Sequence, residues 1–148
     1  AYVLYGIKQF SPKINSYDIR YKVNNEEHQG NYSFIFISNS SRIAGQPDVY
    51  YDVKLDDNMF EVALANAKIF KEMVKLLVMA SNVDVKDIPD ITYYQTDSFE
   101  IEFLSSNEKS WCLDGEEYKT EDNKFVFRVE QSMKMLVPKE NINELFDQ

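Results

Sequence analysis

The chain has 148 residues, a single cysteine and a formal net charge of -9. These exclude an internal disulfide framework and argue against a sequence-independent nucleic-acid binder or a polybasic membrane-surface patch, both of which need clustered Lys and Arg. With 44% hydrophobic residues, ten Tyr and ten Phe, the sequence predicts one domain over residues 1–148 with one substantial core.

The chain opens on Ala1 in an apolar, helix-compatible stretch, Tyr2 to Phe10, which points to a piece of a longer protein. No apolar run reaches the roughly 18 residues of a helical membrane span, and no leader pattern precedes it. Tyr17, Ile19, Tyr21 and Val23 then alternate with Asp18, Arg20 and Lys22, the period-two pattern of a half-buried strand. Asn24 to Gly30 reads as a turn, with His28 an exposed residue in it. The run Tyr32 to Ile37 is apolar at four consecutive positions, which predicts a central strand covered on both faces. From Ser38-Asn39 to Asp52 no period is sustained, so this is read as a long loop of the kind that carries function.

Phe60, Val62 and Leu64 predict a short strand. A helix follows over Ile69 to Ala80, with Phe70, Met73, Val74 and Leu77 on its apolar face, and Lys68, Lys71 and Lys75 as a solvated stripe. Beyond an Asp-rich loop at Pro89, five segments fit a strand template: Ile91 to Thr96, Phe99 to Leu104, Ser110 to Leu113, Phe125 to Val129 and Met133 to Val137. Cys112 is expected in the core. Asn141 and Glu144 fit the cap of a short terminal helix, Ile142 to Phe146. The fold class is therefore mainly β with one or two helices, as an antiparallel β-sandwich.

The chemistry on offer is narrow. His28 has no Cys or second His to build a zinc site, no serine sits in a nucleophile elbow, and Gly6, Gly30, Gly45 and Gly115 stand too far apart for a phosphate-cradling loop. Carboxylates remain, which suit hard, oxygen-liking cations and general-base work. Two clusters stand out, Leu55-Asp56-Asp57 and Leu113-Asp114-Gly115-Glu116. Asp-Gly is also a common two-residue hairpin turn, so the second cluster is open to both readings.

The succession Ser38-Asn39-Ser40-Ser41, Gly45, Lys54-Leu55-Asp56-Asp57, Phe60-Glu61-Val62, Leu113-Asp114-Gly115-Glu116 and Val137-Pro138 resembles the C-terminal domain of the diacylglycerol kinase-like lipid kinases. That family includes sphingosine and ceramide kinases and shares its architecture with NAD kinases. The resemblance implies a β-sandwich that packs on an N-terminal α/β domain carrying a Gly-Gly-Asp-Gly phosphate loop, which this chain lacks.

The resemblance also implies an activity and its sites. The reaction is ATP-dependent phosphorylation of a lipid hydroxyl such as that of diacylglycerol, by the full-length protein. Glu116 is the implied general base, and Asp114, Gly115 and Asn39 are implied nucleotide contacts. A structural magnesium ion would be held by the side chain of Asp57 and the main-chain carbonyls of Lys54 and Met59. The sequence departs from the family at Asn58, where glycine is usual, at Asn39-Ser40, where Asn-Gly is usual, and at Tyr50-Tyr51, in place of an Ala-Pro pair. In sphingosine kinases the Asp-Gly-Glu motif contacts the nucleotide, so Glu116 has two readings. The implied partners are the missing N-terminal domain, the lipid and a second copy in a homodimer, with cytoplasmic location and peripheral membrane contact. The alternatives are a NAD kinase-like enzyme and a non-enzymatic β-sandwich interaction module.

Overall fold

Period-two alternation in the sequence becomes alternation of faces in the computed structural model, which describes residues 15–41, 50, 53–66, 68, 84–105 and 109–130. Among these residues nine strands run in chain order: β1 Tyr17–Val23, β2 Glu26–Tyr32, β3 Phe34–Ser38, β4 Phe60–Ala65, β5 Thr92–Thr96, β6 Ser98–Phe103, β7 Lys109–Leu113, β8 Glu116–Thr120 and β9 Lys124–Arg128. They form an antiparallel four-stranded sheet in the order β2-β1-β6-β9, a three-stranded sheet β3-β4-β5 and a hairpin β7-β8.

Ile19, Tyr21 and Val23 of β1 and Phe99, Ile101 and Phe103 of β6 meet Phe60, Val62 and Leu64 of β4 in one cluster. This is the core of the sandwich, in which each fully buried aliphatic or Phe side chain contributes about 1.5–3 kcal/mol. The other face of the three-stranded sheet is also covered. Ala63 and Ala65 pack there with Tyr50, Val53, Val85 and Ile88, and with Phe34, Phe36 and Tyr93 at its margin. β4 is therefore buried at all six positions. The second cover includes a 3-10 turn, Val85–Asp87, capped by the Asp84 carboxylate accepting from the Lys86 N–H.

Four sequence expectations need correction. Among the described residues the central strand of this sheet is β4, while β3, which takes up most of the run from Tyr32 to Ile37, pairs only with β4 and is half-buried throughout. The turn expected over Asn24 to Gly30 is only Asn24-Asn25, with φ of 49° and 66°, the left-handed pair that closes a two-residue hairpin, and the polar residues after it form β2. His28 is thus a half-buried strand residue, its ring stacked on Tyr21 at 5.1 Å. Cys112 is exposed, because successive strand residues face opposite sides and only the Trp111 side of the β7-β8 hairpin meets the core. The Tyr2 to Phe10 stretch, the Ile69 to Ala80 helix, the Met133 to Val137 strand and the Ile142 to Phe146 helix lie outside the described residues.

Candidate functional site

Asp114 and Gly115 are the two central residues of the β7-β8 turn, with φ of 50° and 97°, and the flanking Leu113 and Glu116 are register partners. Glycine meets a real demand here, since a φ near 97° lies where L side chains rarely go. The hairpin is anchored by Trp111, whose ring stands 5.9 Å from Phe103, 5.2 Å from Phe125 and 5.6 Å from Phe127. Its tip carries Asp114 and Glu116 into solvent, both exposed and neither holding a side-chain hydrogen bond or ion pair among the described residues. Free carboxylates on a turn fixed by its strands are chemically available to a ligand or a second domain.

The second cluster forms where the chain enters β4. Asp57 Oδ1 accepts from the Met59 N–H at 2.9 Å, an Asx turn, and Asn58 between them has φ of 60°. Asparagine visits this left-handed region more readily than most residues, so the turn keeps its shape without the usual glycine. Lys54 precedes the turn half-buried, and Met59 is exposed. A cavity of about 320 Å³ lies alongside, lined by Asn58, Asp97, Ser98, Arg128 and Val129.

The sheet brings further groups to the same corner. Ser38, Glu61 and Gln95 are register partners across β3, β4 and β5, a polar row beside the apolar row of Phe36, Ala63 and Tyr93. Asn39 directly follows Ser38, whose hydroxyl donates to the Ser40 carbonyl at 3.5 Å. Glu61 is 1% exposed. Burial, and then repulsion from Asp57, push its carboxyl up to about 7, against weaker opposing help from hydrogen bonds and from Lys86. Burial together with the charges of Glu61, Asp84 and Asp57 pushes the neighbouring Tyr93 hydroxyl up to about 12. Burial also raises Tyr50, helped by Tyr93, Glu61 and Asp84. Asp84 itself pairs with Lys86 at 3.3 Å.

Asn39, Asp57 and Met59 therefore share one end of the three-stranded sheet, joined there by Glu61 and Gln95, and Lys54 stands three residues before Asp57 in the chain. No side-chain bond links Asp114 or Glu116 to them among the described residues. The sequence reading missed the buried Glu61. Its signal was the pair Ala63 and Ala65, small apolar residues at alternate positions where a solvent-facing strand carries charge.

The implied magnesium ion can be tested against these groups. Among the described residues no three His, Cys, Asp or Glu side chains converge on a metal position. Asp57 nevertheless fits a site built from one carboxylate and main-chain oxygens. Each of its oxygens accepts one bond, Oδ1 from Met59 and Oδ2 from Gln95 at 3.1 Å, which leaves lone pairs for an ion. Hard oxygen donors of this kind suit magnesium, which keeps several waters.

No family model and no curated protein matches this chain. Solved structures do. Three structures of proteins from Bacillus anthracis str. Sterne, described as diacylglycerol kinases and in two cases only provisionally, align with TM-scores of 0.62, 0.60 and 0.64 at 17%, 15% and 15% identity. The likeness is one of fold. It takes in 86%, 84% and 82% of this chain but only 43%, 42% and 40% of those chains, so this chain spans less than half the length of the proteins it matches. Among its described residues no helix is long and apolar enough to cross a membrane.

Proposed function

We propose that this chain is the C-terminal β-sandwich domain of a diacylglycerol kinase-like lipid kinase, which works jointly with an N-terminal domain carrying the phosphate-binding loop. The observation that carries this reading is the shared fold over 82–86% of this chain, combined with the ordered motifs at Asn39, Asp57 and Asp114 to Glu116. In the reaction, the lipid hydroxyl oxygen forms a bond to the γ-phosphorus of ATP as the bond to the β,γ-bridging oxygen breaks and ADP leaves. The hydroxyl proton passes to Glu116. Phosphoryl transfer depends mostly on positioning and charge stabilisation, and an exposed carboxylate on a rigid turn can be positioned by a facing domain. Asp114, Gly115 and Asn39 contact the nucleotide in this reading. A magnesium ion, when bound by Asp57 and the carbonyls of Lys54 and Met59, supplies positive charge that holds the turn.

The test is an acceptor panel. Protein that includes the N-terminal domain should transfer the γ-phosphate of ATP to diacylglycerol or a related lipid, and the 148-residue chain alone should be inactive. Transfer to NAD and to no lipid supports the NAD kinase-like alternative. Transfer to no acceptor supports the interaction module.

A further inference from the structure

We infer that the cavity between the β5-β6 turn, the end of β9 and Asn58 binds a compact zwitterion, an ammonium joined by a short chain to a phosphate, with Arg128 taking the phosphate and Asp97 the ammonium. The cavity has a volume of about 320 Å³ and is lined by Asn58, Asp97, Ser98, Arg128 and Val129, which is the small end of the range for ligand sites. Arg128 and Asp97 put opposite charges on its walls. They form no ion pair with each other, and neither side chain holds a hydrogen bond or ion pair elsewhere among the described residues. An exposed pair of this kind adds little to stability in any case, so both groups are open to a ligand at small cost.

The backbone around the cavity is fixed without a ligand. Ser98 and Arg128 are register partners on β6 and β9, and the Val129 N–H donates to the Asp97 carbonyl at 3.2 Å. Thr96, 1% exposed, donates its hydroxyl to the Ser98 carbonyl at 2.9 Å and accepts from the Ser98 N–H at 3.2 Å, so the turn that carries Asp97 is held from inside. Asn58 keeps its φ of 60° beside the bond from the Met59 N–H to Asp57. A site built in advance loses less freedom on binding. The Arg128 fork, the Ser98 hydroxyl and the Asn58 amide come from three different segments, which suits the tetrahedral oxygens of a phosphate better than a planar carboxylate. Asp97 repels a plain anion and accepts hydrogen bonds from an ammonium. A ligand that carries its own positive charge also suits a chain whose net charge is -9 and whose field opposes anions. The same chemistry occurs in a phospholipid headgroup and in a free phosphorylated amine. This inference goes beyond the kinase reading and stands or falls without kinase activity.

The experiment follows the Ser98 and Val129 amide resonances of the nitrogen-15-labelled protein during separate titrations with O-phosphoethanolamine, inorganic phosphate and ethanolamine. O-phosphoethanolamine should shift both amides and bind at least tenfold tighter than either of its halves. Arg128→Gln should weaken that binding at least tenfold, and Asp97→Asn should make the affinities for O-phosphoethanolamine and inorganic phosphate equal. Glu27→Gln, which removes one exposed charge on β2, should change nothing. Asp97 and Arg128 are both exposed, so their variants should fold, as far-ultraviolet circular dichroism checks; should Arg128→Gln fail to fold, Asp97→Asn decides. Wild-type protein that binds phosphate as tightly as O-phosphoethanolamine overturns the inference, as does wild-type affinity in a folded Arg128→Gln or Asp97→Asn variant. Absence of any shift at millimolar ligand overturns it outright. Co-sedimentation with phosphatidylcholine vesicles, with and without phosphatidylethanolamine, separates the two sources. Retention only by vesicles with phosphatidylethanolamine, lost in Asp97→Asn, upholds the site as a headgroup site, because the choline ammonium has no N–H to donate. Binding of O-phosphoethanolamine without retention by either vesicle upholds it as a site for the free phosphorylated amine.

Discussion

Glu61 and Gln95 face each other across β4 and β5, and the Gln95 amide reaches past Glu61 to Asp57. Stability depends on pH through Glu61: burial, and then repulsion from Asp57, hold its carboxyl protonated, with the Gln95 hydrogen bond acting against them. The Glu61 carboxyl is raised from 4.5 to about 7, so the folded state binds its proton more tightly than the unfolded chain does. The contribution to stability is fully present below pH 4.5, declines as pH rises, and is lost above pH 7. Its size is about 3 kcal/mol across that window, at about 1.4 kcal/mol for each unit of difference. Urea unfolding at pH 5, 6, 7 and 8 in the presence of a chelator should show this fall, and Glu61→Gln should flatten it. An equal slope in the variant would assign the pH dependence to another group.

The two readings of Glu116 separate kinetically. As a general base it contributes only in the transition state, so in protein carrying the N-terminal domain Glu116→Gln should lower kcat by about 10²–10⁴-fold with little change in the KM for ATP. As a nucleotide contact it should raise that KM with a smaller loss in kcat. The exposed position of Glu116 at the hairpin tip means that the variant should melt like wild type in either case. Unchanged kcat and KM together would remove Glu116 from the reaction.

Legibility in the sequence followed how many faces of a strand are buried. β1, β4, β6 and β9 carry regular apolar alternation, and the sequence places all four. β2 escaped because its inward residues are His28, Gly30 and Tyr32, and its outward ones are all polar, which together resemble a turn. Asp114-Gly115 was legible as a turn from its chemistry alone, whereas the approach of Gln95 to Asp57 depends on a cross-strand register that no local pattern encodes. Glu61 was hidden by the same rule that exposed the strands. A polar residue at an alternate position ordinarily faces water, and here the second face of β4 is covered by Tyr50, Val53, Val85 and Ile88.

Trp111, the only tryptophan, holds the hairpin that carries the candidate catalytic turn. Its ring contacts bridge β7 to Phe103 on β6 and to Phe125 and Phe127 on β9. Trp111→Ala should cost about 3 kcal/mol, the low end for loss of a large aromatic because the side chain is only partly buried. Amides of β7 and β8 should lose hydrogen-exchange protection before those of β1 and β6. Trp111→Phe should retain most of it. Uniform loss of protection throughout the protein would show that the hairpin is not a separable unit.

Glycine is favoured at positions 30 and 115 for different physical reasons, space at the first and backbone conformation at the second, that a double-mutant cycle can separate. A Cβ on Gly115 meets nothing within 4 Å, and the strain comes wholly from φ of 97°. Gly115→Ala should therefore cost about 1–2 kcal/mol in any background. A Cβ on Gly30 would stand 2.6 Å from the Tyr32 ring, which lies over it and brings the Tyr32 hydroxyl to 3.4 Å from that of Tyr21. Gly30→Ala must displace that ring and should cost about 1–3 kcal/mol, the usual range for overpacking. In a Tyr32→Ala background the obstacle is gone, and Gly30→Ala should cost less than about 0.5 kcal/mol, so that the two sites couple by about 0.5–3 kcal/mol, as residues in contact do. Chemical denaturation of the four members of the cycle checks this. A Gly30→Ala penalty that persists without the Tyr32 ring would mean that backbone freedom, and not space, is what selects glycine there.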